Sequence, residues 1–103
     1  MKDIVDTIEI EADPAFVLHE LTTGPWWQMP GAHAEIQSQS LGGIALRGTS
    51  GAWEGSRLHV AFARMSSGTR VAVLHTNLAN AAHEATLVHW RATLERLKHA
   101  VEA

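Results

Sequence analysis

The feature that most constrains this chain is a change of apolar period near residue 80. Before it, RLHVAFARMSSGTRVAVLHT alternates, with Leu58, Val60 and Phe62 on one side and Val71, Val73 and His75 on one face of the following arm. A period of two describes half-buried strands, and SSGT between the arms reads as the turn of an antiparallel hairpin. After it, Leu87, Trp90, Leu94, Leu97 and Val101 recur at spacings of three and four. That stripe predicts a helix of roughly twenty residues, about 30 Å long at 1.5 Å per residue. A sheet with one apolar face followed by one long amphipathic helix has few ways to bury both, and the helix must lie on the sheet.

The remaining elements fit the same plan. IVDTIEIEA, residues 4 to 12, puts Ile8, Ile10 and Ala12 on one face and reads as a strand. DPAFVLHEL offers Asp13 as N-cap and Pro14 at the first helical position, so a short helix runs to about Leu21 with Val17, Leu18 and Leu21 inward. Gly24 and Pro25 stop it. HAEIQSQ and GIALRG are two further strand candidates. The expected fold is therefore α+β, an antiparallel sheet with a long C-terminal helix, in one domain spanning residues 1–103.

Composition narrows the function classes. The chain is 46% hydrophobic and 18% charged with net charge -3, and its basic residues are scattered, so no nucleic acid partner is expected. Without cysteine there is no disulfide framework and no thiolate metal site. No run approaches a membrane span or a signal peptide, which makes a cytoplasmic protein without membrane partners the expectation.

Seven histidines raise the question of metal. HEATLVH, residues 83 to 89, sets its histidines at i and i+6, about 120° apart around a helix, so they cannot share an ion as H-E-x-x-H does. RGTSGAW has Ala52 where a nucleophile elbow needs its second Gly, and reads as a glycine-rich loop. His19 and Glu20 point to different sides of the short helix and form no dyad. No metal and no cofactor are expected. His75, on the inner strand face, and His83, one turn before Leu87, are left as inward histidines, each readable as a hydrogen-bonded core residue or as a base in a pocket.

Across most of its length the chain resembles the SRPBCC superfamily of START-like, helix-grip proteins, in the branch related to the activator of the heat-shock chaperone ATPase. The resemblance rests on IEIEADPAFVLHELTT, the Trp26 and Trp27 pair, Gly42 and Gly43 leading a strand, Trp53 followed by Gly55, GTRVAVLHTNL, and HWRATLERLKHAVE with Trp90, Leu94 and Leu97. Asn77 replaces the family's common Gly, and Asn tolerates the left-handed conformation such a turn needs. Only nine residues separate Gly43 from Trp53, where the family has room for about two more strands. The resemblance implies a helix grip thinned by those strands, with a smaller cavity or a bare edge that a second copy would cover in a homodimer.

It also implies a range of functions. The leading reading is a non-enzymatic module with a reduced apolar pocket for a small hydrophobic ligand, lined by Val17, Leu21, Trp26, Trp27, Val73, His75, His83, Leu87 and Trp90. One ring of the Trp26–Trp27 pair is expected to plug the end of the core and the other to lie at the rim or an interface. The alternative is an interaction module, homodimeric or bound to a chaperone or regulatory partner, with its interior filled by its own side chains. A polyketide cyclase- or dehydratase-like enzyme is third, because beyond His75 and His83 the inner face offers no carboxylate or nucleophile.

Overall fold

A computed structural model describes residues 2–23 and 29–102. In chain order the elements are β1 (Lys2–Ile10), α1 (Pro14–Thr23), β2 (Ala32–Ser40), β3 (Gly43–Gly51), β4 (Arg57–Met65), β5 (Gly68–Leu78), one 3-10 turn (Asn80–Ala82) and α2 (His83–Glu102). The strands form one antiparallel sheet in the order β1-β5-β4-β3-β2. The first and last strands are thus neighbours, and β2 is the far edge.

Alternation builds the inner face as the sequence predicts. Leu58, Val60 and Phe62 of β4 and Val71, Val73 and His75 of β5 are buried. They meet Val17 and Leu21 of α1 and Trp90, Leu94 and Leu97 of α2. β4 and β5 close through two residues, Met65 facing Gly68. The first strand ends at Ile10 rather than Ala12: the amide of Ala12 turns back to the Ile10 carbonyl at 2.9 Å, and the chain bends there to enter α1. The Asp13 carbonyl accepts from Phe16 and Val17, while its carboxylate pairs with Arg64 at 3.1 Å.

Asn77 has φ of 59°, the left-handed conformation expected of it. Its side-chain amide donates to the Gly55 carbonyl at 3.0 Å, and the register of β1 on β5 shifts between the pairs Lys2–Leu78 and Ile4–His75. The shift lets both His75 and Leu78 turn inward although they are three residues apart. At the other end of α2, Lys98 donates to the Glu9 carbonyl at 2.8 Å and Glu102 accepts from the Glu11 amide at 2.8 Å. The end of β1 is therefore tied to the helix. Among the described residues no helix is long and apolar enough to cross a membrane.

β3 and β4 are joined by a tight loop in which the Gly48 amide donates to the Ser56 carbonyl at 2.9 Å and the Gly55 amide to the Gly48 carbonyl at 3.2 Å. A Cβ on Gly48 would collide with the carbonyl oxygen of Trp53, whereas one on Gly55, at φ of +79°, meets nothing within 4 Å. The two glycines thus serve different needs, close approach and left-handed backbone. Gly55→Ala is expected to cost about 1 kcal/mol, the left-handed penalty alone, and Gly48→Ala about 3 kcal/mol because backbone must move. Urea unfolding of both variants measures the difference, and equal losses would contradict it.

Candidate functional site

The loop that Gly48 permits drives Trp53 and Ser56 into the core, where they are 0% and 1% exposed. There they meet His75 from β5 and Trp90 from α2. The Trp53 and Trp90 rings stack with centroids 5.8 Å apart and 6° between planes, and His75 stands edge-on to Trp53 at 5.1 Å. The Trp53 indole N–H donates to Thr86 Oγ1 at 3.1 Å. His89 closes the cluster, its ring 5.6 Å from Trp53 and 5.3 Å from Trp90.

The donors fix the direction of the hydrogen bonds. Trp90 Nε1 lies 3.2 Å from His75 Nδ1, and an indole N–H can only donate, so Nδ1 carries no proton. The neutral ring then bears its hydrogen on Nε2, which lies 2.8 Å from Ser56 Oγ and donates to it. Ser56 in turn donates to the Trp53 carbonyl at 2.6 Å. One chain of bonds runs from Trp90 through His75 and Ser56 to Trp53.

That direction decides the chemistry. A serine beside a histidine at 2.8 Å has the spacing of a nucleophile and its base. Here the ring nitrogen facing the hydroxyl is already protonated, and the hydroxyl hydrogen goes to a carbonyl. The other ring nitrogen accepts from an indole instead of donating to a carboxylate as in a catalytic triad. The arrangement holds three elements together and activates no nucleophile.

Of the residues expected to line a pocket, Val17, Leu21, Val73 and Trp90 share one buried core cluster, with His75 buried against Trp90 and Leu87 half-buried beside them. His83 begins α2 and is half-buried; its backbone amide donates to the Asn80 carbonyl, and its side chain makes no hydrogen bond or ion pair among the described residues. Trp26 and Trp27 lie outside the described residues. The clefts are elsewhere. One of about 710 Å³ opens on the sheet face away from the helices and includes Gln37, Ala45, Arg47, Arg57, His59 and Leu74 in its lining. Another of about 390 Å³ lies where α1 begins and α2 ends, beside Phe16, His19 and Glu20. None of the expected residues that are described lines either cleft.

Sequence reasoning missed Ser56 and Thr86 altogether, weighed His89 only as a metal partner of His83, and had Trp53 only through the resemblance. A usable signal existed for the threonines: Thr86 and Thr93 stand four before and three after Trp90, on its own helix face, and both are buried. No local signal marks Ser56 as the partner of His75, which is 19 residues away.

Burial, with His89 as a lesser neighbouring charge, lowers the His75 pKa from 6.5 to about 4. The unfolded chain binds a proton below 6.5 that the folded chain refuses until about 4. The stabilisation is therefore complete above 6.5 and is lost as pH falls towards 4, by about 3 kcal/mol in all. Comparing urea unfolding of the wild type and His75→Gln from neutral pH downwards isolates this slope. The variant is expected to be less stable at neutral pH and to lose that part of the acid dependence. Parallel curves would contradict the assignment.

No protein-family model matches the chain, and no curated protein matches it. Solved structures do. The Aha1 dimer from Colwellia psychrerythraea, a solution structure, superposes with a TM-score of 0.84 at 18% identity, over 99% of this chain and 97% of that one. A protein from Bacillus halodurans gives 0.76 at 15% identity, over 99% and 98%. An AHSA1-like protein from Rhizobium etli gives 0.71 at 19% identity, over 99% and 82%. At such identities the likeness is one of fold.

Proposed function

Starting from a chain with the helix-grip fold of the Aha1-like proteins, we propose that it is a shortened, non-catalytic member of the SRPBCC superfamily that acts as an interaction module and assembles as a homodimer through β2. The observation that carries this reading is the state of that strand. From Glu35 to Ser40 every residue of β2 is exposed, on both faces. Among the described residues β3 is the one strand β2 pairs with, and β2 ends the sheet order. Neither helix shields its inner face, where Ile36 stands opposite the buried Leu46 and is 36% exposed.

An edge strand in that condition is a template for another chain, and proteins ordinarily protect it with lysine, proline or a cover. β1 has such protection from Lys98 and Glu102, whereas β2 contains neither lysine nor proline. Register shifts between His33 and Ala34 and between Ile36 and Ser38 break the strand into short pieces. A partner therefore pairs over a short stretch around Glu35 and Ile36, and a two-fold axis there brings Ile36 against its own copy. A dimer among the structural neighbours is compatible with this arrangement.

The interior has less room for the ligand reading. Both nitrogens of His75 are taken by protein groups, so no polar handle is left for a guest, and Val17, Leu21, Val73 and Trp90 are packed among themselves. Light scattering at micromolar concentration is expected to give twice the mass of the chain. Ile36→Lys, an exposed change that leaves the core untouched, is expected to weaken the dimer about tenfold or more. A monodisperse wild-type monomer would overturn the proposal, and so would an Ile36→Lys protein that dimerises as tightly as the wild type.

A further inference from the structure

The cleft of about 710 Å³ on the outer sheet face has a charge arrangement that nothing in the fold accounts for. Arg47 of β3 and Arg57 of β4 stand directly opposite each other in the ladder. Like charges at such positions repel, and the pair is tolerated in water at a cost. Arg64, Arg70 and Arg91 have ion pairs, with Asp13, Glu9 and Asp6. Arg47 and Arg57 have none among the described residues, although the chain has more acidic than basic side chains. Glu35 is the ladder partner of Arg47 on its other side, yet makes no ion pair with it.

The rest of the cleft is graded. His59, two residues beyond Arg57, lies on the same outer face, and its ladder partners are Ala45 and Leu74. Leu74 is 41% exposed and faces Val5, 70% exposed, on β1. The cleft therefore has two guanidinium groups at one end, an imidazole in the middle and an apolar floor running towards Leu74. Its volume is that of a small-molecule site.

We infer that this cleft binds a small amphipathic oxyanion, a carboxylate or phosphate monoester with an apolar body. The head group lies between Arg47 and Arg57, whose planar forks suit paired oxygens, and the body lies along Ala45 and Leu74. The site is distinct from the space between sheet and helix: it opens on the face away from the helices, and Val73, His75 and Trp90 take no part in it.

Octanoate and phenyl phosphate, with benzyl alcohol as the neutral control, can be titrated into the isotope-labelled full chain and followed by NMR. Saturable shifts are expected at Ala45, Arg57, His59 and Leu74 for the anions and not for the alcohol. The two anions distinguish which head group the forks prefer. Arg57→Gln is expected to weaken binding about tenfold, and Arg47→Gln with Arg57→Gln to abolish it. Glu35→Gln is expected to tighten binding, since it removes the negative charge opposite Arg47 in the ladder. Absence of saturation for both anions, equal binding of the alcohol, or an undiminished affinity in the double variant would overturn the proposal. Shifts centred on Val73, His75 and Trp90 would overturn it as well, because they would place the anion inside the grip.

Discussion

The hydrogen bond from the Trp90 indole to the bare nitrogen of His75 is the contact on which the rest of the fold is aligned. It is 3.2 Å long, inside a core where both residues are 1% exposed or less. Because an indole cannot accept, this bond sets the tautomer of the ring, and the tautomer sets which way Ser56 must turn. Three separate pieces of chain, the end of β5, the loop after β3 and the middle of α2, are thus held by bonds that all require one another. Replacing any donor leaves a buried polar atom without a partner, at a cost of about 1 to 3 kcal/mol. Two backbone devices bring the pieces together: the left-handed Asn77 that reorients the end of β5, and the bare Cα of Gly48 that lets Trp53 approach.

This knot also explains where the surface is left open. α2 is drawn over β1 and β5 by Trp90 and by the Lys98 and Glu102 contacts with the end of β1. A single helix of twenty residues cannot also cover the other end of a five-stranded sheet. With stacked tryptophans and a neutral histidine inside, the surfaces proposed for contact with other molecules are the exposed strand β2 and the outer face. The family resemblance directs attention to the space between sheet and helix, where, among the described residues, Trp53, His75 and Trp90 pack against one another.

What the sequence showed and what it hid divide along the range of the interactions involved. Periodicity located β4, β5 and α2, because each records its own buried face within a few residues. Asn77 was readable as a left-handed position through the family resemblance, which sets a glycine there. The exposure of β2 was not readable: HAEIQSQ resembles any edge strand, and whether a helix reaches it depends on packing set elsewhere. His75 was recognised as an inward histidine, yet its partners come from 19 residues before it and 15 after it, so its role could not be decided locally. The opposed arginines were equally invisible, since Arg47 and Arg57 become neighbours only through the register of β3 on β4. The Trp26 and Trp27 pair, the most conspicuous local feature, belongs to the residues left undescribed.

Ser56 is the residue at which the interior and the outer cleft meet. Its hydroxyl accepts from His75 and donates to Trp53, while the residue also borders the cleft that carries Arg47 and Arg57. The backbone position that completes the buried network therefore also shapes one wall of the charged recess, and Asn77, bonded to the Gly55 carbonyl next door, shapes another. Stability of the core and shape of the cleft are linked through this one turn, whereas the cleft's charge is not. The two guanidinium groups project from exposed strand positions and touch nothing in the core. Changing them alters what the cleft can bind while the Trp90, His75 and Ser56 chain stays intact. A loss of binding in those variants is then a property of charge alone, separable from any loss of fold.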